Sequence, residues 1–198
     1  MRKLIFLLIP FLIFTCTTLY SYSSDPKEFV EELVNEAISK LSDKSLSTEE
    51  KADFIEEVAI ENVDINALGL YTLGELRKSA DKEIVSQYQI AFEKYFLKSL
   101  TSRLKDYSSS NFLITGFDQK SSNYTIVNSK IVPEDGKPEI KIDWRVYTKN
   151  KDKPLIRDLI VEGLSLARTQ KEEFASILSS NNNDIKILIK KLVEFNSN

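Results

Sequence analysis

The chain has 198 residues, with 27 basic and 30 acidic side chains, no His and a single Cys. A net charge of −3 does not suit a nucleic-acid binder, which needs a basic stripe to neutralise phosphates. Without His, a Ser-His-Asp triad, a Cys-His pair and an ordinary zinc site are excluded. No P-loop and no G-x-G-x-x-G stretch is present, so an enzyme would depend on carboxylates, Lys or Tyr.

Arg2 and Lys3 precede an almost wholly apolar run from Leu4 to Leu19, and Ser21-Tyr22-Ser23 offers small residues at a cleavage site. This is the layout of a secretory signal peptide. Residues 1–23 are therefore read as a cleavable export signal and residues 24–198 as one domain. A retained anchor would need roughly 20 apolar residues, more than this run supplies. Lipid attachment at Cys16 is another alternative, but Thr15 is bulkier than the residue such a site takes. Cleavage removes Arg2, Lys3 and the only Cys, which makes the mature chain more acidic and leaves it no disulfide. Its stability then rests on its core.

Asp25-Pro26 opens a helix, with Asp as N-cap and Pro at the first helical position. Phe29, Val30, Leu33, Val34, Ile38 and Leu41 form its apolar face. Ser47 and Glu50 make a capping box for a second helix carrying Phe54, Ile55, Val58 and Ala59. Asp64 or Asn66 caps a short third helix that Gly74 stops. From about Asp81 to Tyr107, Val85, Tyr88, Phe92, Tyr95, Phe96, Leu100 and Leu104 recur at helical steps as one broad stripe.

The period then changes. Phe112 to Ile114, Tyr124 to Val132, Ile140 to Thr148 and Leu155 to Val161 read as four strands. In the third, Ile140, Ile142, Trp144 and Val146 point one way and Lys141, Asp143, Arg145 and Tyr147 the other. Turns at Pro133–Pro138 and Asn150–Pro154 join them into an antiparallel meander with one face to bury. The aromatic stripe of the long helix is expected to cover that face, as a filled core or as the wall of a cavity. Periodicity does not separate the two. Helices over Ser165–Leu178 and from Ile185 onward close the chain. The class is α+β. Asp143, Asp158 and Glu162 are the acids a sugar-cleaving enzyme could use. With Arg145 and Arg157 beside them, they read as solvated structural charges.

Two stretches carry a family resemblance. One is Asp64-Ile65-Asn66-Ala67-Leu68-Gly69-Leu70-Tyr71-Thr72-Leu73-Gly74, followed by the long helix. The other is Arg157-Asp158-Leu159-Ile160-Val161-Glu162-Gly163-Leu164-Ser165-Leu166. Together they resemble the MlaC, or toluene-tolerance, family of periplasmic phospholipid-binding proteins, over about Asp25 to Phe195. The resemblance implies a curved four-stranded sheet wrapped by N- and C-terminal helices around an apolar pocket. It implies no enzyme activity, no cofactor, no nucleic acid and a monomer in the periplasm. Its cargo would be phospholipid, passed between an outer-membrane Mla lipoprotein complex and an inner-membrane Mla ABC transporter complex. On that basis Leu70, Leu73, Phe92, Phe96, Ile126, Ile142, Trp144, Val146 and Ile160 are expected to line the pocket, with ordinary core as the other role for each. Arg77, Lys78 and Arg168 are the candidates for head-group or partner contact. Glu75-Leu76-Arg77-Lys78 departs from the basic–aromatic–aromatic–basic pattern usual in the family there. A periplasmic chaperone or scaffold that binds protein through the same apolar surface is the alternative function.

Overall fold

The computed structural model describes residues 22–104, 110–133 and 137–197. The export-signal reading falls on residues 1–21 and lies outside them, as does the predicted end of the long helix at Tyr107. The described elements run α1 (Pro26–Ser42), α2 (Thr48–Asn62), α3 (Ile65–Thr72), α4 (Leu76–Ser79), α5 (Lys82–Leu104), β1 (Ser110–Ser121), β2 (Tyr124–Pro133), β3 (Ile140–Tyr147), β4 (Leu155–Val161), β5 (Leu164–Ser165), α6 (Leu166–Ser179) and α7 (Ile185–Ser197).

Six helices start where the sequence supplies an acceptor for their unpaired N–H groups, Asp81 and Asp184 serving α5 and α7. Asp25 accepts from the backbone of Lys27 and Glu28 at 2.9 and 3.1 Å. Ser47 accepts from Glu50 N at 3.1 Å, and the Glu50 carboxylate accepts from Ser47 N at 2.7 Å, completing the capping box. Asp64 caps α3 through Ala67 N at 3.1 Å, and Ser165 caps α6 through Arg168 N at 3.1 Å. Gly74, at φ 64°, turns the chain out of α3.

The strands pair in the order β1-β2-β3-β4-β5, each antiparallel to the next. This is the expected meander with a fifth strand added. Glu162 at φ 50° and Gly163 at φ 83° reverse the chain in two residues, so that Ile160 and Val161 pair with Ser165 and Leu164. β1 is also far longer than the three residues expected of it. Between β3 and β4, Arg145 pairs with Asp158 but Val146 pairs with Ile156, which leaves Arg157 as a bulge. The extra residue reverses the alternation along β4. Ile156 joins Val146 on one face, while Asp158 joins Arg145 on the other.

Two apolar cores result. In the first, Phe29, Val30, Leu33 and Val34 of α1 pack on the sheet face formed by Val127, Ile131, Ile142, Trp144, Val146 and Ile156. In the second, α3, α5, α6 and α7 pack around Tyr88, Phe92 and Phe174. The aromatic stripe of α5 therefore does not cover the sheet. It stacks inside the helical core, and α1 covers the sheet instead. A broad stripe says which face of a helix is buried and not against what. The cores meet at Val63, which touches both. There the backbone of Val63 bridges to Ile156, and Asp64 N donates to Ile156 O at 2.9 Å.

Candidate functional site

The sheet face under α1 is apolar along β2, β3 and β4. Alternation puts Thr125, Val127, Ser129 and Ile131 of β2 opposite Val146, Trp144, Ile142 and Ile140 of β3, all on that face. Its polar atoms are satisfied within it. Trp144 Nε1 donates to Ser129 Oγ at 2.8 Å, and Ser129 Oγ donates to Ile142 O at 2.9 Å. Phe112 meets the Trp144 ring edge-on at 6.2 Å between centroids. An indole whose N–H is already bonded to a neighbouring strand presents only hydrocarbon to the helix side. Tyr22 closes one end of α1. Its ring meets Phe29 edge-on, and its hydroxyl donates to the Glu36 carboxylate at 2.6 Å. Burial, then that carboxylate, pushes the Tyr22 phenol well above its ordinary range.

The nine expected lining residues do not share one wall. Ile142, Trp144 and Val146 lie on the face under α1. Leu73 and Phe92 are buried in the helical core, where Phe96 packs on them half-buried, and Leu70 is half-buried on α3. Ile126 pairs with Arg145, and Ile160 with Asp143, so both lie on the opposite face of the sheet. The residues that complete the apolar face are Val127, Ile131, Leu159 and Val161. In the sequence they are indistinguishable from their apolar neighbours Ile126 and Ile160.

The helical core is closed by aromatic contacts. Tyr88 and Phe92 stack at 5.9 Å, and Phe174 meets both edge-on at 6.4 and 6.3 Å. The buried Tyr88 hydroxyl lies 2.8 Å from Thr72 Oγ1, which donates to Gly69 O at 2.9 Å. A Cβ on Gly69 would stand 2.9 Å from the Phe92 ring. Only glycine lets α3 approach α5 this closely.

The block from Asp158 to Leu166 is a joint. Asp158 is only 5% exposed. Its carboxylate accepts from Arg145 Nη1 at 3.2 Å, Ser165 Oγ at 2.6 Å and Ala167 N at 3.0 Å. It thus ties β3, β4 and the start of α6 together, where a solvated charge was expected. Glu162 accepts from Lys141 N at 2.5 Å, which holds the turn into β5. Asp143 accepts from Asn128 Nδ2 at 2.8 Å. Asp143, Glu162 and Asp158 are thus each engaged by different donors. Among the described residues, no group of acids could hold a metal ion.

The three basic candidates differ. Arg77 turns back on α3, donating to the carbonyls of Leu70 and Gly74. Lys78 pairs with Glu75 at 2.7 Å in solvent. Arg168 is exposed in the first turn of α6.

A solved structure with this fold is the phospholipid-binding protein from Ralstonia solanacearum in complex with a phospholipid. It superposes with a TM-score of 0.75 at 18% identity, over 87% of this chain and 97% of that one. A family profile described as MlaC protein matches residues 31–194. The chain belongs to the MlaC family. A search of curated protein sequences gives no match.

Proposed function

We propose that this protein is a periplasmic phospholipid carrier. It would take up phospholipid and pass it between an outer-membrane Mla lipoprotein complex and an inner-membrane Mla ABC transporter, without bond chemistry. What supports the reading is the apolar face around Trp144, on a fold that in the Ralstonia protein accompanies a phospholipid. Two acyl chains carry roughly 30 methylenes at about 0.8 kcal/mol each. Bare transfer through water would oppose them by on the order of 20 kcal/mol, so a carrier must enclose both tails. The layer between α1 and the sheet is where hydrocarbon can replace hydrocarbon. Ile142, Trp144 and Val146 are its proposed wall.

Trp144 is the only tryptophan in the chain, which makes it a direct reporter. Purified protein loaded with phospholipid brominated on the acyl chains should lose most of its indole emission, and protein loaded with unbrominated lipid should keep it. Mass spectrometry of an organic extract should find phospholipid with the protein. An empty extract, no uptake from labelled liposomes and unquenched Trp144 would together overturn the carrier. A protein-binding scaffold would then be the better reading.

A further inference from the structure

On the sheet face turned away from α1, a cleft of about 400 Å³ opens between the start of α3 and the β3–β4 turn, lined by Asp64, Tyr147, Lys149, Asn150, Lys153, Leu155 and Arg157. Its floor is preorganised. The Arg157 guanidinium lies 3.4 Å over the Tyr147 ring centroid. Its Nε donates to Asp64 Oδ2 at 2.8 Å, and its Nη2 lies 2.8 Å from the same oxygen. Asp64 Oδ1 is taken by Ala67 N. The one carboxylate in the cleft is therefore spent, both on the cap of α3 and on Arg157.

What remains around the rim is a set of donors. Lys149 and Lys153 have no ion-pair partner among the described residues, Arg157 Nη1 makes no hydrogen bond, and the Asn150 amide nitrogen is unused. Asn150 Oδ1 is occupied, accepting from Asp152 N at 3.1 Å. An acidic chain, with a net charge of −3, thus carries here a cleft whose uncompensated charge is two ammonium groups. Lysine binds phosphate as a point charge, and the cleft is open to solvent, so a ligand reaches it without any movement of the fold.

We propose that this cleft binds a phosphate group carried by a small polar moiety: a free phosphate ester, or the exposed head group of an anionic phospholipid in a bilayer. Lys149 and Lys153 would clamp the phosphate oxygens, with Arg157 Nη1 as the fixed third donor. The site lies on the opposite face from Trp144 and does not rest on lipid carriage, so an empty lipid extract would leave it standing.

The test is amide chemical-shift titration of the full mature protein with inorganic phosphate and with glycerol 3-phosphate, each against chloride at equal ionic strength. Saturable shifts confined to residues about the β3–β4 turn and the start of α3 are expected. The Lys149→Gln/Lys153→Gln double variant should weaken binding by roughly tenfold or more. Lys151→Gln, on the same turn but outside the cleft lining, should change it less than twofold. Flotation with phosphatidylcholine vesicles, with and without phosphatidylglycerol, assigns the source. Capture that needs phosphatidylglycerol and both lysines points to the head group, and its absence beside a phosphate response points to the free ester. Equal loss in Lys151→Gln would mean diffuse charge attraction and overturn the site, as would shifts that chloride reproduces.

Discussion

The two cores of this protein are built from different materials. The helical core is aromatic and interlocked. Tyr88, Phe92 and Phe174 touch one another, and Gly69 is shaved to fit the Phe92 ring. The layer between α1 and the sheet is mainly aliphatic, with Trp144 pinned from the strand side through Ser129. Interlocked rings resist rearrangement because each has few ways to repack. Aliphatic side chains between a helix and a sheet can part and close again over other hydrocarbon. On the proposed carrier reading, the helical core serves as the scaffold, and the α1–sheet layer is the proposed place for cargo.

That contrast breaks most directly at Phe92. Phe92→Ala should lower stability by about 3–5 kcal/mol, read by urea unfolding. The variant that stays folded should still show Trp144 quenching by brominated lipid at the parent level. Lost quenching in a folded Phe92→Ala protein would move the cargo into the helical core. At the joint between the regions, Asp158→Ala removes the acceptor for Arg145, Ser165 and Ala167 at once. Because the Arg145 side chain is 36% exposed and can reach water, about 2–4 kcal/mol is expected, short of the full penalty for an unpaired buried charge. In the sheet layer, Ser129→Ala leaves Trp144 Nε1 without its acceptor. A loss of about 1–3 kcal/mol should come with altered indole emission in the lipid-free protein. Unchanged emission would mean that Ser129 does not hold the ring.

How far the sequence foretold this differs between the regions for physical reasons. The caps at Asp25 and Ser47–Glu50 were readable because capping is local chemistry. The buried face of β3 was readable because its alternation is strict, apolar against charged. The partner of the α5 stripe was not, since periodicity names a face and never its neighbour. β5 was hidden because it is two residues long and depends on Glu162 adopting a left-handed backbone that non-glycine residues rarely take. Of the expected lining, Ile142, Trp144 and Val146 share a face because β3 alternates cleanly. Ile126 and Ile160 fall on the other face for two separate causes. Ile126 stands beside the equally apolar Val127, so β2 gave no parity to read. Ile160 follows the Arg157 bulge, and an extra residue in a strand leaves composition and hydropathy untouched while reversing every side chain across it. The donor cleft was missed for a related reason. Asp64 and Arg157 are far apart in the chain, and only the fold brings them together beside the lysines of the β3–β4 turn.

The smallest effect at neutral pH, and the finest test of the contrast, is the titration of the buried phenols. Burial pushes Tyr88 well above the ordinary tyrosine value of 10.0, and its hydrogen bond with Thr72 offsets only part of that. In the unfolded chain this phenol ionises near 10, whereas in the fold it keeps its proton. Above about pH 10 the folded state therefore holds more protons than the unfolded one, and stability falls as pH rises. Below the unfolded value the contribution is fully present. Tyr22, at the edge of the α1–sheet layer, is raised in the same direction, but it is half-buried where Tyr88 is fully enclosed. Urea midpoints measured from about pH 8 to pH 11 should fall in the parent protein. They should fall less steeply in Tyr88→Phe and in Tyr22→Phe than in the parent. If Tyr88→Phe leaves the parent slope unchanged, the Tyr88 phenol is not closed off from water in the folded protein, and the helical core loses its standing as the tightly closed one of the two.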